Sequence, residues 1–351
     1  MGCTFEECLT SCSGHYIEEF RLRTSLVRKL SRIGIASTAA ISLGLVGISP
    51  ALASAEETAA EVALGEQSEL KVLSYNILRE GEFNTSASDL ELRLNHPWKK
   101  VGVEARRYKV IKYIANSGAS VVNLQEAEYL TQRDHLKNSV SLKEHWRMIE
   151  HNTDAARAWQ QRPTIMYDTR KLENNPNDPT QAGVRKLGTN ARNNPMFLQW
   201  ARFLDKKSQT HFYVFNTHLP SNASSTADVM NVERDRQMAV VINRINEIVV
   251  DPNDPVILTG DFNSANSSAA ILRAKSAGLR DAHDVPGIPI SGKGLKTNPG
   301  FTVPTTKGNR LDRVFFKENS RLTITSYTTD VTEWLGSDHL PVYATFTLNP
   351  Q

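Results

Sequence analysis

Short runs of apolar and β-branched residues recur along the chain from residue 70 onward, separated by Gly, Pro, Asn and Asp. Runs of this kind are typical of β-strands. Two neighbouring runs, 197–204 and 210–217, are spaced like the strands of a hairpin. The eight predicted strands are Leu70–Ile77, Ser120–Gln125, Thr164–Tyr167, Phe197–Leu204, Thr210–Thr217, Val256–Gly260, Arg310–Phe316 and Leu340–Leu348.

Two longer segments repeat apolar residues every three to four positions, which is the period of an amphipathic helix. They predict helices over Val101–Ala115 and Ala227–Val250. Asn174–Gly183 and Gly287–Gly300 are rich in turn residues and are predicted to be surface loops, because another strand of the same kind follows each. Hairpins mixed with strand–helix–strand stretches predict one α/β (α+β) domain with mixed sheets over residues 70–349.

The first 53 residues follow the order of a secretory signal peptide. A basic stretch without acids at 21–32 precedes the uncharged segment Ile33–Ala53, which ends in the small-residue cleavage site Ala-Leu-Ala. We predict a signal peptide over 1–53, with cleavage after Ala53 or, as the second choice, after Ala55. A flexible spacer over 54–69 would then precede the domain, and the protein would be secreted to the extracellular space.

A retained membrane anchor is the alternative, because the uncharged segment approaches the ~20 residues that span a bilayer. Its many Ser, Thr and Gly residues and its cleavage site favour a cleaved signal. All three cysteines, Cys3, Cys8 and Cys12, precede the basic stretch. No fourth cysteine is present to complete a metal or disulfide cluster, so we expect them to be removed with the signal.

The overall composition is that of a soluble globular protein. Hydrophobic types make up 40% and charged types 23% of the 351 residues, which argues against a fibrous, disordered or multi-span membrane protein. The 41 basic and 38 acidic residues nearly cancel, giving a net charge of +3. Domains that hold nucleic acid by overall charge are far more basic. Any anionic substrate must therefore be bound by a local site.

Polar side chains stand at the ends of the predicted strands, where a sheet exposes side chains to a common crevice. Mg²⁺ prefers carboxylate and amide oxygens. Asn76 and Glu126 suit such a site, and Asp338 or Asp261 could share it. The full set of these polar residues is Asn76, Glu126, His218, Asp261, Asn263, Asp312, Asp338 and His339.

The spacing within two short motifs adds to this set. In GDFN, Asp261 and Asn263 lie two residues apart, so in an extended segment both point to the same side. In SDH, His339 offers a base near neutral pH if a carboxylate orients its ring, and Asp312 is the candidate partner. Each motif alone is a weak signal, because Asx residues after strands mostly form turns. Their succession along separate strands favours a function.

Six motifs in order resemble those of the endonuclease/exonuclease/phosphatase superfamily, which includes deoxyribonuclease I, sphingomyelinases and inositol-polyphosphate phosphatases. They are SYNIL, LQEAE, NTHLPSN, TGDFNS, LDRVFF and SDHLPV, between about Lys71 and Phe346. The resemblance implies a four-layer sandwich of two mixed β-sheets flanked by helices. It also implies hydrolysis of a phosphoester that depends on Mg²⁺, with Mn²⁺ as a substitute cation.

The resemblance also implies a role for each residue. Glu126 is expected to be the principal metal ligand, with Asn76 beside it and Asp338 as a second metal-site carboxylate.

The remaining residues are expected to perform the chemistry. His218 resembles a histidine that binds phosphate or protonates the leaving group, and Asp261 and Asn263 resemble the pair that positions the attacking water. His339 resembles a general base or phosphate contact oriented by Asp312. Family members differ over whether Asp261 or His339 takes the proton from water, so both assignments stay open.

Two positions depart from the family pattern. Many members have Asn or an acidic residue before the strand that matches Thr164–Tyr167, whereas 161–163 read Gln-Arg-Pro here, which supplies no carboxylate for His218. Asp312 is followed by Arg313 where nucleases commonly have Tyr. An Asp-Arg pair resembles the inositol-phosphatase branch, and the alternative is that Arg313 faces solvent.

Three functional hypotheses follow. The first is an exported nuclease that hydrolyses phosphodiester bonds by in-line attack of water, with nucleic acid as its partner and no stable protein partner. The second is a sphingomyelinase- or phospholipase C-like enzyme or a phosphomonoesterase; the scattered tryptophans argue against a lipid surface, and membrane contact is expected only if the signal is retained. The third is a non-catalytic binding module, which the intact set of site residues disfavours.

Overall fold

The computed structural model describes residues 65–80, 91, 94–98, 105–127, 131–150, 163–175, 181–222, 227–332 and 335–350. These residues belong to one compact unit, Glu61–Gln351. The predicted signal peptide lies outside the described residues, and so does most of the predicted spacer. None of the helices within the described ranges is both long enough and apolar enough to cross a membrane.

The described strands form two mixed sheets of seven strands each. The first sheet has the order β11-β13-β14-β1-β2-β4-β3 and consists of β1 (Ser68–Asn76), β2 (Val121–Gln125), β3 (Trp146–Met148), β4 (Thr164–Asp168), β11 (Ile290–Ser291), β13 (Leu322–Thr329) and β14 (Val342–Leu348). The second has the order β10-β12-β9-β8-β7-β5, with β6 also paired to β7, and consists of β5 (Leu172–Glu173), β6 (Ala182–Thr189), β7 (Pro195–Asp205), β8 (His211–His218), β9 (Val256–Asp261), β10 (Leu279–Asp281) and β12 (Asp312–Lys317).

Helices cover the outer face of each sheet. Val110 of α1 (Arg106–Asn116) and Leu136 of α2 (Gln132–Asn138) share an apolar cluster with Val122 of the first sheet. On the second sheet, Leu258 shares a cluster with residues of α3 (Ala227–Ile248) and α4 (Ala269–Ser276). The layers are therefore helix, sheet, sheet and helix, which confirms the predicted four-layer sandwich.

A third apolar cluster lies between the two sheets. Val72 and Val121 of the first sheet and Val214, Ile257 and Val314 of the second contribute to it, and all five are fully buried. Successive inward-facing positions of a strand are two residues apart. Following β1, β8 and β9 by steps of two leads from apolar to polar side chains, so one end of the space between the sheets is polar.

All eight predicted strands are present, with bounds that differ by no more than two residues. Helix α3 ends at Ile248, and α1 runs to Asn116. The prediction of a loop over Gly287–Gly300 is wrong in part, because Ile290–Ser291 forms β11 against β13. Helix α2 was not predicted, because its sequence QRDHLKN has one large apolar residue and hence no helical period.

Candidate active site

Strand pairing places three predicted site residues in one row. Parallel pairing of β8 and β9 sets His218 opposite Asp261, and antiparallel pairing of β9 and β12 sets Asp312 opposite Asp261. Gly260 permits the close approach of β9 to β8, because a Cβ atom there would lie 2.3 Å from the backbone oxygen of Thr217. The row faces Asn76, at the end of β1 in the other sheet.

Asp261 is the centre of this arrangement. Its Oδ2 accepts a hydrogen bond from Asn76 Nδ2 at 3.1 Å and lies 3.4 Å from Nε2 of His218 and 3.7 Å from Nε2 of His339. Its Oδ1 accepts the backbone N–H of Asn263 at 2.9 Å. Burial by itself would raise the pKa of Asp261, but the positive charges of the two histidines outweigh it and hold the pKa well below its ordinary value.

His339 lies between two carboxylates. Its Nδ1 is 2.8 Å from Asp312 Oδ2, and its Nε2 faces Asp261. Burial opposes the charged form of the ring, but the negative charges of Asp312, Asp261 and Asp338 outweigh burial and raise the pKa of His339 well above its ordinary value. The structure thus places Asp312 where the sequence predicted the partner of His339.

His218 also has a carboxylate neighbour, although positions 161–163 of the sequence contain no acidic residue. Asp261 fills that place, since its Oδ2 lies 3.4 Å from the imidazole Nε2. Burial lowers the pKa of His218, but contact with Asp261 more than offsets burial, so the net direction is upward. Asn263 Nδ2 lies 3.1 Å from the same ring nitrogen and donates to the backbone oxygen of Leu219 at 2.9 Å.

The three predicted metal ligands meet on the side of the first sheet. Asn76 Nδ2 donates to Glu126 Oε1 at 3.2 Å, and Glu126 Oε2 accepts the backbone N–H of Arg79 at 3.2 Å. Ser337 Oγ donates to the backbone oxygen of Asn76 at 2.6 Å, which ties the loop of Asp338 to the end of β1.

Charge at this group fits a hard divalent cation. Burial raises the pKa of Asp338, and the negative charge of Glu126 raises it further, against the opposing charges of His339 and Arg106. Asp338 forms no ion pair with any residue in the described ranges. Two crowded carboxylates and an amide are a donor set that Mg²⁺ accepts.

A second group of potential ligands lies beside the first. One ligand atom from each of Asp261, Asp312 and His339 falls within 4.8 Å of the others, and all three residues are buried. Asp312 Oδ1 is buried without a hydrogen-bond partner among the described residues. This geometry could hold a cation. A proton on His339 is the alternative way to compensate the negative charges of Asp261 and Asp312.

Strained backbone surrounds the site. Four residues other than glycine have positive φ at the exits of strands or in the loop before β12: Leu78 (49°), Glu126 (58°), Asn263 (47°) and Phe301 (61°). Left-handed backbone costs such residues about 1 kcal/mol or more and concentrates at functional sites. At Glu126 and Asn263 this conformation sets the direction of a predicted site residue.

A polar layer just below the site was missed by sequence reasoning. Gln125 Nε2 donates to Asn216 Oδ1 at 2.8 Å and to Ser74 Oγ at 3.1 Å, and Asn216 Nδ2 donates to the backbone oxygens of Leu124 and Thr164. These contacts join the two sheets. The available signal was period two, because Ser74 precedes Asn76, and Asn216 precedes His218, by two residues.

Arg313 is not a solvent-facing residue, which corrects that alternative. Its side chain is fully buried on the outer face of the second sheet, where it donates to Asp281 Oδ2 at 2.8 Å. It also donates to the backbone oxygens of Ser264 at 3.0 Å and Arg310 at 2.7 Å. Arg313 therefore joins the segment after Asn263 to the segment before Asp312.

Thr297 was also missed. Its Oγ1 accepts the backbone N–H groups of Leu311 at 2.9 Å and Asp312 at 3.1 Å, and its backbone oxygen accepts from Leu340 at 2.7 Å. This one residue thus fixes the backbone beside both members of the Asp312–His339 pair. It lies in a segment predicted to be a surface loop, where no pattern marks a buried threonine.

Comparisons with known proteins relate this chain to a protein family. The sequence model described as the Endonuclease/Exonuclease/phosphatase family matches residues 73–339. None of the curated proteins compared with the chain matches it significantly.

Several solved structures share the fold. A family protein from Bacteroides thetaiotaomicron has 21% identity and a TM-score of 0.60, covering 82% of this chain and 100% of its own. A mannosyl-6-phosphatase from the same species has 22% identity and a TM-score of 0.58, covering 79% of this chain and 99% of its own. TDP2 from D. rerio, complexed with a single-strand DNA product, has 20% identity and a TM-score of 0.54, covering 80% of this chain and 99% of its own.

Proposed function

The chain belongs to the endonuclease/exonuclease/phosphatase family, whose members hydrolyse phosphoester bonds and generally depend on a divalent metal, and from this premise we propose that it is an exported, Mg²⁺-dependent nuclease. The observation that carries the proposal is the meeting of Asn76 and Glu126 with His218, Asp261 and His339 at one end of the space between the sheets. Two histidines, a held carboxylate and a cation site match the needs of phosphoryl transfer.

Asn76, Glu126 and Asp338 would hold the cation. When bound, a Mg²⁺ ion supplies Lewis-acid stabilisation of negative charge on the phosphoryl oxygens. Mn²⁺ would serve in its place, because it accepts the same oxygen ligands.

Asp261 is the proposed acceptor of the proton from water. Its carboxylate is ionised and fixed by Asn76 and by the backbone of Asn263. Water attacks phosphorus in line with the leaving oxygen, its proton passes to Asp261, and the bond from phosphorus to the leaving oxygen breaks.

His339 is proposed to donate to a phosphoryl oxygen rather than to act as the base. Its ring faces a carboxylate at each nitrogen, Asp312 at Nδ1 and Asp261 at Nε2, and this arrangement favours a proton on both nitrogens. His218, on the other side of Asp261, would contact a phosphoryl oxygen or return a proton to the leaving oxygen.

A nucleic acid is the proposed substrate. The DNA product in the structure of TDP2 supports this choice, and the mannosyl-6-phosphatase supports a phosphomonoester as the alternative. A substrate panel separates them: an oligonucleotide, sphingomyelin or phosphatidylcholine, and a sugar phosphate, assayed with Mg²⁺ for released nucleotides, phosphocholine and inorganic phosphate. Asp261→Asn is the inactive control.

Release of nucleotides by the wild-type protein and not by Asp261→Asn is the expected result. Release of phosphocholine alone, or of inorganic phosphate alone, would contradict the proposed nuclease function. No release from any substrate would favour the binding module.

Export is part of the same proposal and rests on the signal-like order of residues 1–53. N-terminal sequencing of protein from the culture supernatant should show a chain that begins at Ser54 or Glu56. A membrane-bound product with an intact N-terminus would favour the anchor, and a soluble cytoplasmic product would contradict both interpretations.

A further inference from the structure

The segment 285–311, here named the lysine loop, contains no Asp or Glu in 27 residues. It carries Lys293, Lys296 and Lys307, together with Arg310, whose side chain is buried in a pair with Asp281. Lys293 and Lys307 are exposed, and Lys296 is half-buried. The loop is therefore a surface with excess positive charge in a chain whose overall charge is only +3.

The loop is attached directly to the candidate active site. Thr297 accepts the N–H groups of Asp312 and Leu340, and Gly300 N–H donates to the backbone oxygen of Asp338 at 3.0 Å. These bonds place residues 297–300 between the chain segments that carry Asp312 and His339. A ligand bound at Asp312 and His339 would therefore pass beside the lysine loop.

Neighbouring acids do not neutralise the three lysines. None of Lys293, Lys296 and Lys307 forms an ion pair with a residue in the part of the chain that the structure describes. Elsewhere among the described residues, four lysines pair with carboxylates: Lys137, Lys206, Lys207 and Lys275. Uncompensated lysines beside a phosphoester site attract further phosphates.

We propose that the lysine loop binds the non-scissile phosphates of a single-stranded nucleic acid whose scissile phosphate lies in the active site. This inference rests on the proposed function and names its substrate as a strand of several nucleotides. A chain of phosphates fits better than one small anion, because the loop offers three lysines, two of them exposed, in addition to the groups proposed to bind the scissile phosphate. Lysine contacts to a phosphate backbone also carry no base preference.

The test compares two variants of equal charge change. Lys293→Gln/Lys296→Gln/Lys307→Gln removes the three loop charges. The control, Lys206→Gln/Lys207→Gln/Lys317→Gln, also removes three charges. These lysines lie at the ends of β7 and β12 that are farthest from the candidate active site. Binding of a fluorescein-labelled 12-nucleotide DNA strand is measured in EDTA by anisotropy over a series of salt concentrations, with a methylphosphonate strand as the uncharged probe. Turnover of bis(p-nitrophenyl) phosphate with Mg²⁺ reports the site itself.

We expect the loop variant to bind the phosphodiester strand at least ~10-fold more weakly at low salt, with a salt slope reduced by about 2, since each single-strand phosphate contact contributes about 0.7. The control should change less than ~2-fold, and turnover of the small diester should be unchanged in both variants. Wild-type protein should bind the methylphosphonate strand weakly.

Equal loss of binding in the control, or unchanged binding in the loop variant, would overturn the proposal. A matching fall in small-diester turnover would mean that the loop acts through the catalytic groups, and it would overturn the proposal too. The same proteins are also tested for binding to phosphatidylserine vesicles. Loss of vesicle binding in the loop variant with strand binding unchanged would assign the loop to a lipid surface and overturn the proposal. If the wild-type protein binds the strand through the loop but does not cleave it with Mg²⁺, the proposed nuclease function is wrong and the assignment of the loop as a strand-binding surface stands.

Discussion

Asp312 Oδ2 and His339 Nδ1 lie 2.8 Å apart, although 27 residues separate them in the chain. Asp312 begins β12 of the second sheet, and His339 precedes β14 of the first. The pair therefore bridges the two sheets at the site. Thr297 fixes the backbone at both sides of the pair, so the contact is built into the fold.

This contact predicts a non-additive pair of substitutions. His339→Ala should lower kcat by at least ~10²-fold, the effect typical of losing one donor to the charged transition state. Asp312→Asn should cost less, because it removes a negative charge that favours the protonated ring and leaves the ring itself in place. The double variant should be little worse than His339→Ala alone.

Initial-rate kinetics on the four proteins test this pairing, with thermal unfolding as the control for folding. Losses that multiply in the double variant would show independent action, and the pairing would then have to be abandoned.

Arg313 gives a second prediction, because it holds the carbonyls of Ser264 and Arg310 at the two segments that carry Asn263 and Asp312. Arg313→Lys retains the positive charge beside Asp281 but not the planar fork that reaches both carbonyls. We expect kcat to fall ~10- to 100-fold with KM little changed.

Arg313→Met removes the charge as well. Asp281 keeps its pair with Arg310, but the carbonyl oxygens of Ser264 and Arg310 lose a buried donor, so the free energy of unfolding should fall by about 1–3 kcal/mol. Kinetics and denaturant unfolding of both variants separate positioning from stability. Wild-type kcat in Arg313→Lys would show that Arg313 serves stability alone.

Asp284 predicts a pH dependence of stability. Its contact with His283, at 2.9 Å, and its ion pairs with Lys275 and Arg310 hold its pKa well below the ordinary value. A carboxylate with a lowered pKa stabilises the fold above about pH 4, the pKa of an unpaired Asp, and this contribution is lost as pH falls through the lower value. Because the side chain is partly exposed, we expect no more than about 1 kcal/mol.

Thermal unfolding of the wild-type protein and Asp284→Asn from pH 7 to pH 2 measures this effect. The wild type should be the more stable near neutral pH, and the difference should shrink below pH 4. A difference that grows toward acid pH would contradict the assigned ion pairs.

The strands and the positions of the candidate site residues could be predicted from one local pattern in the sequence. Apolar runs define the buried strands, and the site residues follow them directly, so Asn76, His218 and Asp261 were found at strand ends. Strand pairing sets His218 beside Asp261, as expected for side chains at the ends of neighbouring strands.

Contacts across the fold could not be predicted in this way. Thr297 lies in a turn-rich segment, and Arg313 has the charge of a surface residue, yet both are buried through partners distant in sequence. Strand β13, LTITSYTT, was not predicted because five of its eight residues are polar and a register shift between Ile324 and Ser326 interrupts its alternation of apolar and polar positions. Burial that depends on a partner far along the chain leaves no local pattern.

The most direct test of the account is the Mg²⁺ dependence of oligonucleotide cleavage in the wild-type protein and Glu126→Gln. Glu69→Gln, on the same sheet but exposed at the far end of β1, is the matched control. The test compares the initial rates of oligonucleotide cleavage by the three proteins as a function of free Mg²⁺, after each has been treated with EDTA. The wild type and Glu69→Gln should be inactive in EDTA and recover together, whereas Glu126→Gln should need at least ~10-fold more Mg²⁺ because a charged ligand is lost. Cleavage by the wild type in EDTA, or an unchanged Mg²⁺ requirement in Glu126→Gln, would contradict a metal-dependent site at Asn76 and Glu126.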